Sequence, residues 1–163
     1  MLRATDDAIE GTGGAIGTLP NSKKGDAVIT VNAKESAAPA FRIVVEVKDK
    51  RMSEPEIERE LTEAKANRGA EIALMVFSEE AAPEGTAPFQ LNRHGVFCAV
   101  DPEAPDTAIL EAGFRLAKIS ARIRRRTQSA GADISAVNDA LQSIRKRLES
   151  ISVTKRSLTA IND

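Results

Sequence analysis

Apolar and polar positions alternate in short runs over the first hundred residues and then pass into helical spacing. Residues 26–32 (Asp-Ala-Val-Ile-Thr-Val-Asn) are rich in β-branched side chains and predict a strand. After a polar connection over 33–39, residues 41–48 predict a second strand. Phe41, Ile43, Val45 and Val47 lie on one face of it, and Arg42, Val44, Glu46 and Lys48 on the other. The short connection makes the two strands a hairpin. Ser53-Glu-Pro-Glu56 carries the capping-box spacing, Ile57, Leu61 and Ala64 recur at helical intervals, and Gly69 supplies a stop, so a helix is expected between them. Residues 71–77 are almost continuously apolar, as in a central strand covered on both faces. The Pro- and Gly-containing stretch 78–88 reads as an excursion, and Gly95–Val100 as a further strand stopped by Asp101-Pro102. Residues 1–25, with five glycines, read as loop with a short edge strand around Ala15–Leu19. The order strand, strand, helix, strand, strand indicates an α/β sandwich.

From about Thr107 the pattern is helical. Ile109, Gly113, Leu116, Ser120, Ile123, Thr127, Ala130, Ile134, Val137, Leu141, Ile144, Leu148, Ile151, Lys155 and Leu158 follow one alternating 4–3 spacing, aliphatic throughout from Ile134 to Ile151. This predicts a coiled-coil seam, about 80 Å long if continuous at 1.5 Å per residue. Gly131 and Asp133 offer the alternative of a helical hairpin turning at 129–133. The expected division is a domain over 1–105 and a helical coiled-coil region over 106–163. No helix precedes the first strand and the pattern is interrupted at Asp163, as expected for a piece of a longer protein.

Composition narrows the possibilities. The chain has 163 residues, 23 basic against 24 acidic side chains and a net charge of −1, which argues against a general nucleic-acid coat but not against a local basic patch. One Cys excludes an internal disulfide framework and a multi-Cys zinc site. Without Trp or Tyr, and with five Phe, there is little surface on which to stack single-stranded bases. No apolar run is long enough to span a bilayer, so no membrane is expected. The N-terminus has no signal-peptide character, and a reducing cytoplasm is the expected compartment.

The chemistry-bearing constellation is Gly25-Asp26 opening one strand and Glu46-Val47-Lys48 closing its neighbour. In a hairpin the start of the first strand lies beside the end of the second, so Asp26 comes near Glu46. Two carboxylates suit a hard divalent ion such as Mg²⁺, with water and substrate phosphate completing its shell. A lysine beside them can position or deprotonate the attacking water, or neutralise charge growing on the phosphate. The alternative is a solvated cross-strand charge cluster, which contributes about 0.2–1 kcal/mol and needs no function.

Over roughly residues 25–101 this arrangement resembles the PD-(D/E)XK, or restriction-endonuclease-like, nuclease superfamily, in both the E-x-K strand and the order of elements. The resemblance implies a mixed sheet flanked by helices, followed here by the long C-terminal coiled-coil extension. It further implies that Asp26, Glu46 and the Val47 backbone carbonyl hold Mg²⁺ or Mn²⁺, that Lys48 is the catalytic lysine, and that the bond cut is a phosphodiester, with DNA rather than RNA as the expected substrate. Two departures stand out. The family's usual first helix is replaced by Gly-rich chain, and Gly25 stands where the motif has its proline.

Lys50 and Arg51 extend the charge run and are candidate phosphate contacts. Arg115, Lys118, Arg122 and Arg125 form a helical stripe with no acidic residue between Ala112 and Ala132, as needed to track a nucleic-acid backbone. Flanking positions of a coiled coil, paired with acids of a neighbouring helix, would look the same. His94 is expected in a surface turn, Cys98 in the core, and Glu56, Glu60 and Glu63 on a solvated helix face. Gly11–Gly17 superficially matches a dinucleotide fingerprint, but no strand precedes it and no helix follows. The functional expectation is a metal-dependent DNA nuclease dimerised by its coiled coil. Its rival is a catalytically idle nuclease-like scaffold that binds DNA or a protein partner, and a third possibility is a purely structural coiled-coil protein with a globular head.

Overall fold

A computed structural model describes residues 7–31, 40–86 and 88–130, with side chains described as far as Arg125. The chain divides into two compact units, Met1–Arg122 and Ile123–Asp163, and the architecture below is that of the first. The β-branched runs form β2 (Ala27–Val31) and β3 (Phe41–Lys48), antiparallel as the hairpin requires, with Ile29 opposite Ile43 and Ala27 opposite Val45. The capping-box segment opens α1 (Glu54–Arg68), where the Ser53 backbone N–H donates to Glu56 Oε2 at 2.8 Å. Gly69 closes the helix with φ 59°, ψ 42°, a left-handed conformation that glycine adopts without a Cβ penalty. The apolar run becomes β4 (Ile72–Ser78), parallel to β3 and buried along its whole length. Next come β5 (Phe89–Leu91) and β6 (Val96–Val100), the latter parallel to β4, and then α2 (Thr107–Ala130).

With β1 (Ala8–Gly11) at one edge, these strands make a six-stranded mixed sheet of order β1-β2-β3-β4-β6-β5. The fold is α/β. One face carries Val44, Ala73, Met75, Phe77 and Phe97, and α1 covers it with Ile57, Leu61 and Ala64. There the rings of Phe77 and Phe97 meet edge to face, 5.8 Å between centroids. Alternation along β4 and β6 sends Leu74 and Cys98 to the opposite face. A Cβ at Gly113 of α2 would overlap Cys98 Sγ and come within 3.4 Å of Leu74, so the glycine lets α2 lie directly on that face.

Three expectations need adjusting. The edge strand is Ala8–Gly11 and not Ala15–Leu19. All four β1 residues are exposed and give no alternation to read, whereas the backbone around Ala15–Leu19 is taken up by side chains of α1. The strand β5, after the excursion, was missed because its three residues are too few to show a period. Along α2, Gly113, Leu116, Ala117, Ser120 and Ala121 are buried, so the first turns of the 4–3 pattern pack as a broad stripe within the first unit. The aliphatic seam from Ile134 to Ile151 and most of the possible turn at 129–133 lie outside the described residues. Among the described residues no helix is long and apolar enough to cross a membrane.

Candidate functional site

The β2–β3 register, continued one step beyond Ala27 and Val45, sets Asp26 opposite Glu46. Backbone bonds carry the pairing into the site. The Asp26 N–H donates to the Val45 carbonyl at 2.9 Å, and the Val47 N–H donates to Asp26 Oδ2 at 2.8 Å. Asp26 is exposed. Glu46 is 1% exposed because its face of β3 lies under α1, beside Met75 of β4. A carboxylate so placed needs partners. Its Oε1 accepts the Gly25 N–H, and its Oε2 lies 3.0 Å from Lys48 Nζ.

Lys48 is shared. Its ammonium also donates to Glu60 Oε1 on α1 at 2.7 Å. The other oxygen of Glu60 takes Lys24 Nζ at 2.8 Å, and Lys24 reaches Glu63 at 2.7 Å. The result is an alternating chain, Glu46–Lys48–Glu60–Lys24–Glu63, from the sheet to the helix surface. The sequence places Glu60 and Glu63 on a solvated helix face, but Glu60 is tied into the site, as is Lys24, which carries no sequence signal of its own. The available signal was spacing: Glu60 lies one turn from Ile57 and Glu56 on a helix whose apolar stripe faces Glu46 and Lys48.

The charges set the protonation of these groups. Burial pushes the Glu46 carboxyl above its usual range, outweighing Lys48 and the Gly25 N–H, which favour the anion. For Lys48, burial acts to lower the pKa, but bonds to Glu60 and Glu46 and their charges prevail and raise it. Lys24 behaves likewise against Glu60 and Glu63. Glu60, despite burial, is held below the usual range by Lys24 and Lys48. Lys48 is therefore a firmly protonated ammonium at neutral pH and not a free base.

The Gly-rich loop that precedes β2 is built by the last two residues of α1. Arg68, 7% exposed, donates from Nε to the Lys24 carbonyl at 2.8 Å. From Nη2 it reaches the carbonyls of Thr12 at 2.8 Å, Ala15 at 2.8 Å, Lys23 at 3.1 Å and Gly25 at 3.3 Å. Asn67, 1% exposed, accepts the Leu19 N–H and donates to the Ser22 and Lys24 carbonyls. Gly25 sits at φ +96°, and a Cβ there would lie 2.7 Å from Arg68 Cγ and 2.9 Å from Val44 Cγ2. The departure from the nuclease motif now has a local reason. Proline, with φ fixed near −65° and no N–H, can neither take this conformation nor donate to Glu46.

No protein-family model, curated protein or solved structure matches this chain.

The donors of the site are oxygens only. Asp26 and Glu46 keep lone pairs beyond those used in hydrogen bonds, and the Val47 carbonyl follows Glu46 directly in the chain. Among the described residues no group of three or more His, Cys, Asp and Glu is arranged to hold a metal ion. The set fits an ion that takes one or two carboxylates and otherwise water, as Mg²⁺ does, and does not fit an all-protein zinc or calcium cage.

The remaining candidates scatter. Lys50 is exposed just past β3, and Arg51 Nε donates to the Glu80 carbonyl at 3.2 Å. The basic stripe of α2 is less uncompensated than the sequence implies. Arg115 pairs with Glu111 one turn back, and Lys118 Nζ meets Asp7 Oδ2 at 2.8 Å with both side chains largely buried. The Nε of Arg122 is buried with no hydrogen-bond partner. Arg125 belongs to the second unit. His94 does lie in the turn between β5 and β6, but it is 8% exposed and accepts from Arg93 Nε at 2.8 Å. That turn precedes β6, at the opposite end of the parallel strands from Lys48. Cys98 is a buried core residue as expected.

Proposed function

We propose that the first unit is a divalent-metal-dependent nuclease domain of the PD-(D/E)XK kind, hydrolysing phosphodiester bonds of DNA. One observation carries the reading: Asp26 and Glu46 stand opposite each other at the adjoining ends of two paired strands, with Lys48 two residues on and on the face of Glu46. Asp26, Glu46 and the Val47 carbonyl are the groups to hold Mg²⁺ or Mn²⁺. Such an ion supplies a water of lowered pKa and polarises the phosphoryl oxygen. Lys48 keeps its proton, so its part is to offset negative charge growing on the phosphate. The Gly25 N–H fixes the Glu46 carboxylate from the side away from Lys48. Exposed Lys50, Arg51 and Arg115 are candidate backbone contacts, with Arg122 further along α2, and Arg125 is a candidate within the second unit. Dimerisation through 134–151 belongs to the same reading, as does a cytoplasmic location.

A second reading is favoured by one specific feature. Both oxygens of Glu46 are engaged, and Lys48 is clamped between two glutamates, so the network is complete without a metal. A catalytically idle scaffold that binds DNA or a protein partner would keep the charge chain for stability alone. Calorimetric titration with Mn²⁺ separates the two. Saturable binding abolished by Asp26→Asn or by Glu46→Gln, with folding verified by circular dichroism, supports the nuclease, and Lys48→Ala then tests cleavage of duplex DNA. Wild-type protein that binds no Mn²⁺, or binds it regardless of both substitutions, overturns the metal site in favour of the scaffold.

A further inference from the structure

Glu60 is the unexpected member of the site. It is the only carboxylate of α1 bonded to Lys48 among the described residues, and it is itself fixed by Lys24 from the loop. Lys48 stands 3.0 Å from Oε2 of Glu46, so the ammonium lies against one of the two candidate ligands. A divalent cation on that oxygen would stand against the ammonium, and repulsion between the two charges drives Lys48 off. An ammonium driven off a buried carboxylate with no second partner would be left uncompensated, at a large desolvation cost. Glu60 removes that cost, because at 2.7 Å it already holds the same ammonium from the other side.

We propose that Glu60 is a positioning residue that receives Lys48 when a divalent cation takes Glu46, so that Lys48 and the metal alternate on one oxygen. This rests on the nuclease reading and adds to it a resting state, with Lys48 on Glu46, and a loaded state, with Lys48 on Glu60. Lys24 is part of the device. By holding the second oxygen and reaching on to Glu63, it keeps the Glu60 carboxylate turned toward Lys48. In the loaded state the ammonium stays charged and beside the site, where it can face a phosphate.

The test is a double-mutant cycle read by Mn²⁺ calorimetry on the full chain, using Glu60→Gln, Lys48→Met and the pair together. Glu60→Gln should weaken Mn²⁺ binding about tenfold, the scale expected for loss of a group supporting a ligand. Lys48→Met should tighten binding, since the competitor is gone, and adding Glu60→Gln to it should then change little. In parallel, the Lys48 ammonium resonance should shift when Mg²⁺ saturates the wild type. If Glu60→Gln weakens binding equally with and without Lys48, Glu60 acts only as a distant negative charge and the proposal fails while the metal site stands. A Lys48 signal unmoved at Mg²⁺ saturation overturns it in the same way. Absence of Mn²⁺ binding in both the wild type and Lys48→Met overturns the metal site itself, and the positioning role with it. Lys48→Met predicts the opposite sign from Glu60→Gln, so the idea remains exposed to test should the Glu60 variant not fold.

Discussion

Glu46 and Glu60 bracket the same ammonium, yet their pKa values are shifted in opposite directions. Glu60 has a pKa lowered from 4.5, so it contributes stability that is present above that value and disappears as pH falls through the lower folded one. Glu46 has a pKa raised from 4.5, so its ionised form opposes folding, and protonation on the way down relieves that cost. At pH 7, free of divalent ions, Glu60→Gln should therefore destabilise the protein more than Glu46→Gln. The expected cost is about 1.5–3 kcal/mol for the lost charged hydrogen bonds. In urea titrations the gap should close as pH drops below 4.5, where wild type and Glu60→Gln converge. A gap unchanged from pH 7 to pH 3 would mean that the Glu60 contacts contribute nothing electrostatic. Lys24 and Lys48, with raised pKa values, contribute stability below 10.5 that is lost as pH climbs past it. Gly25 belongs to the same scale. At φ +96°, with Arg68 and Val44 under 3 Å from any Cβ, Gly25→Ala should cost about 2 kcal/mol or more. It should also weaken any Mn²⁺ binding, because the N–H on Glu46 moves with the backbone. Unaltered denaturation and metal affinity in Gly25→Ala would show that the loop can re-form around a side chain.

At the scale of elements, the C-terminal end of α1 shapes the loop, and the loop in turn sets the first strand of the site. Asn67→Ala leaves the part-buried Leu19 N–H without its acceptor and takes one of two donors from each of the Ser22 and Lys24 carbonyls, a loss of about 1–3 kcal/mol. Hydrogen exchange should report it first at the Leu19 amide; protection there equal to wild type would mean that Asn67 is not what orders the loop. The sequence could not have announced this. Asn-Arg-Gly at a helix end reads as an ordinary stop, and a buried guanidinium satisfied by carbonyls leaves no charge pattern. The hairpin, by contrast, was legible because parity and a short connection fix which residues meet, and Asp26 and Glu46 do stand opposite each other. On α2, spacing alone misled. Lys118 and Arg115 share a stripe in sequence, but Lys118 is tied to Asp7 and Arg115 is exposed. Lys118→Ala should cost about 3 kcal/mol, as when one half of a buried pair is removed, whereas Arg115→Ala should leave stability within about 0.5 kcal/mol. Equal melting temperatures for the two variants would return Lys118 to the surface stripe.

For the whole molecule, the α/β class followed from the order of strong periods, while the edges of the sheet stayed hidden because β1 and β5 are short and carry no alternation. What holds α2 to the sheet is another long-range fact with no local signal, and Cys98 reports on it. Burial pushes its thiol up to about 12, and its Sγ lies 3.9 Å from the Ile109 carbonyl, under a helix that comes close only because residue 113 is glycine. The thiolate is the reactive form, so at pH 8 the native thiol should be inert to iodoacetamide, and labelling should occur only when α2 lifts from the sheet or the fold opens. The labelling rate then measures that opening. Gly113→Ala would bring a methyl into Sγ and Leu74, forcing the helix outward, so labelling should accelerate and stability fall by about 1–3 kcal/mol. The clash is specific, because most of the overlap is with sulfur. Cys98→Ala combined with Gly113→Ala should therefore recover much of the lost stability, giving a coupling of opposite sign to the single effects. Labelling in Gly113→Ala no faster than in wild type, or purely additive stabilities in the pair, would mean that α2 is anchored elsewhere, with Asp7–Lys118 the next contact to break.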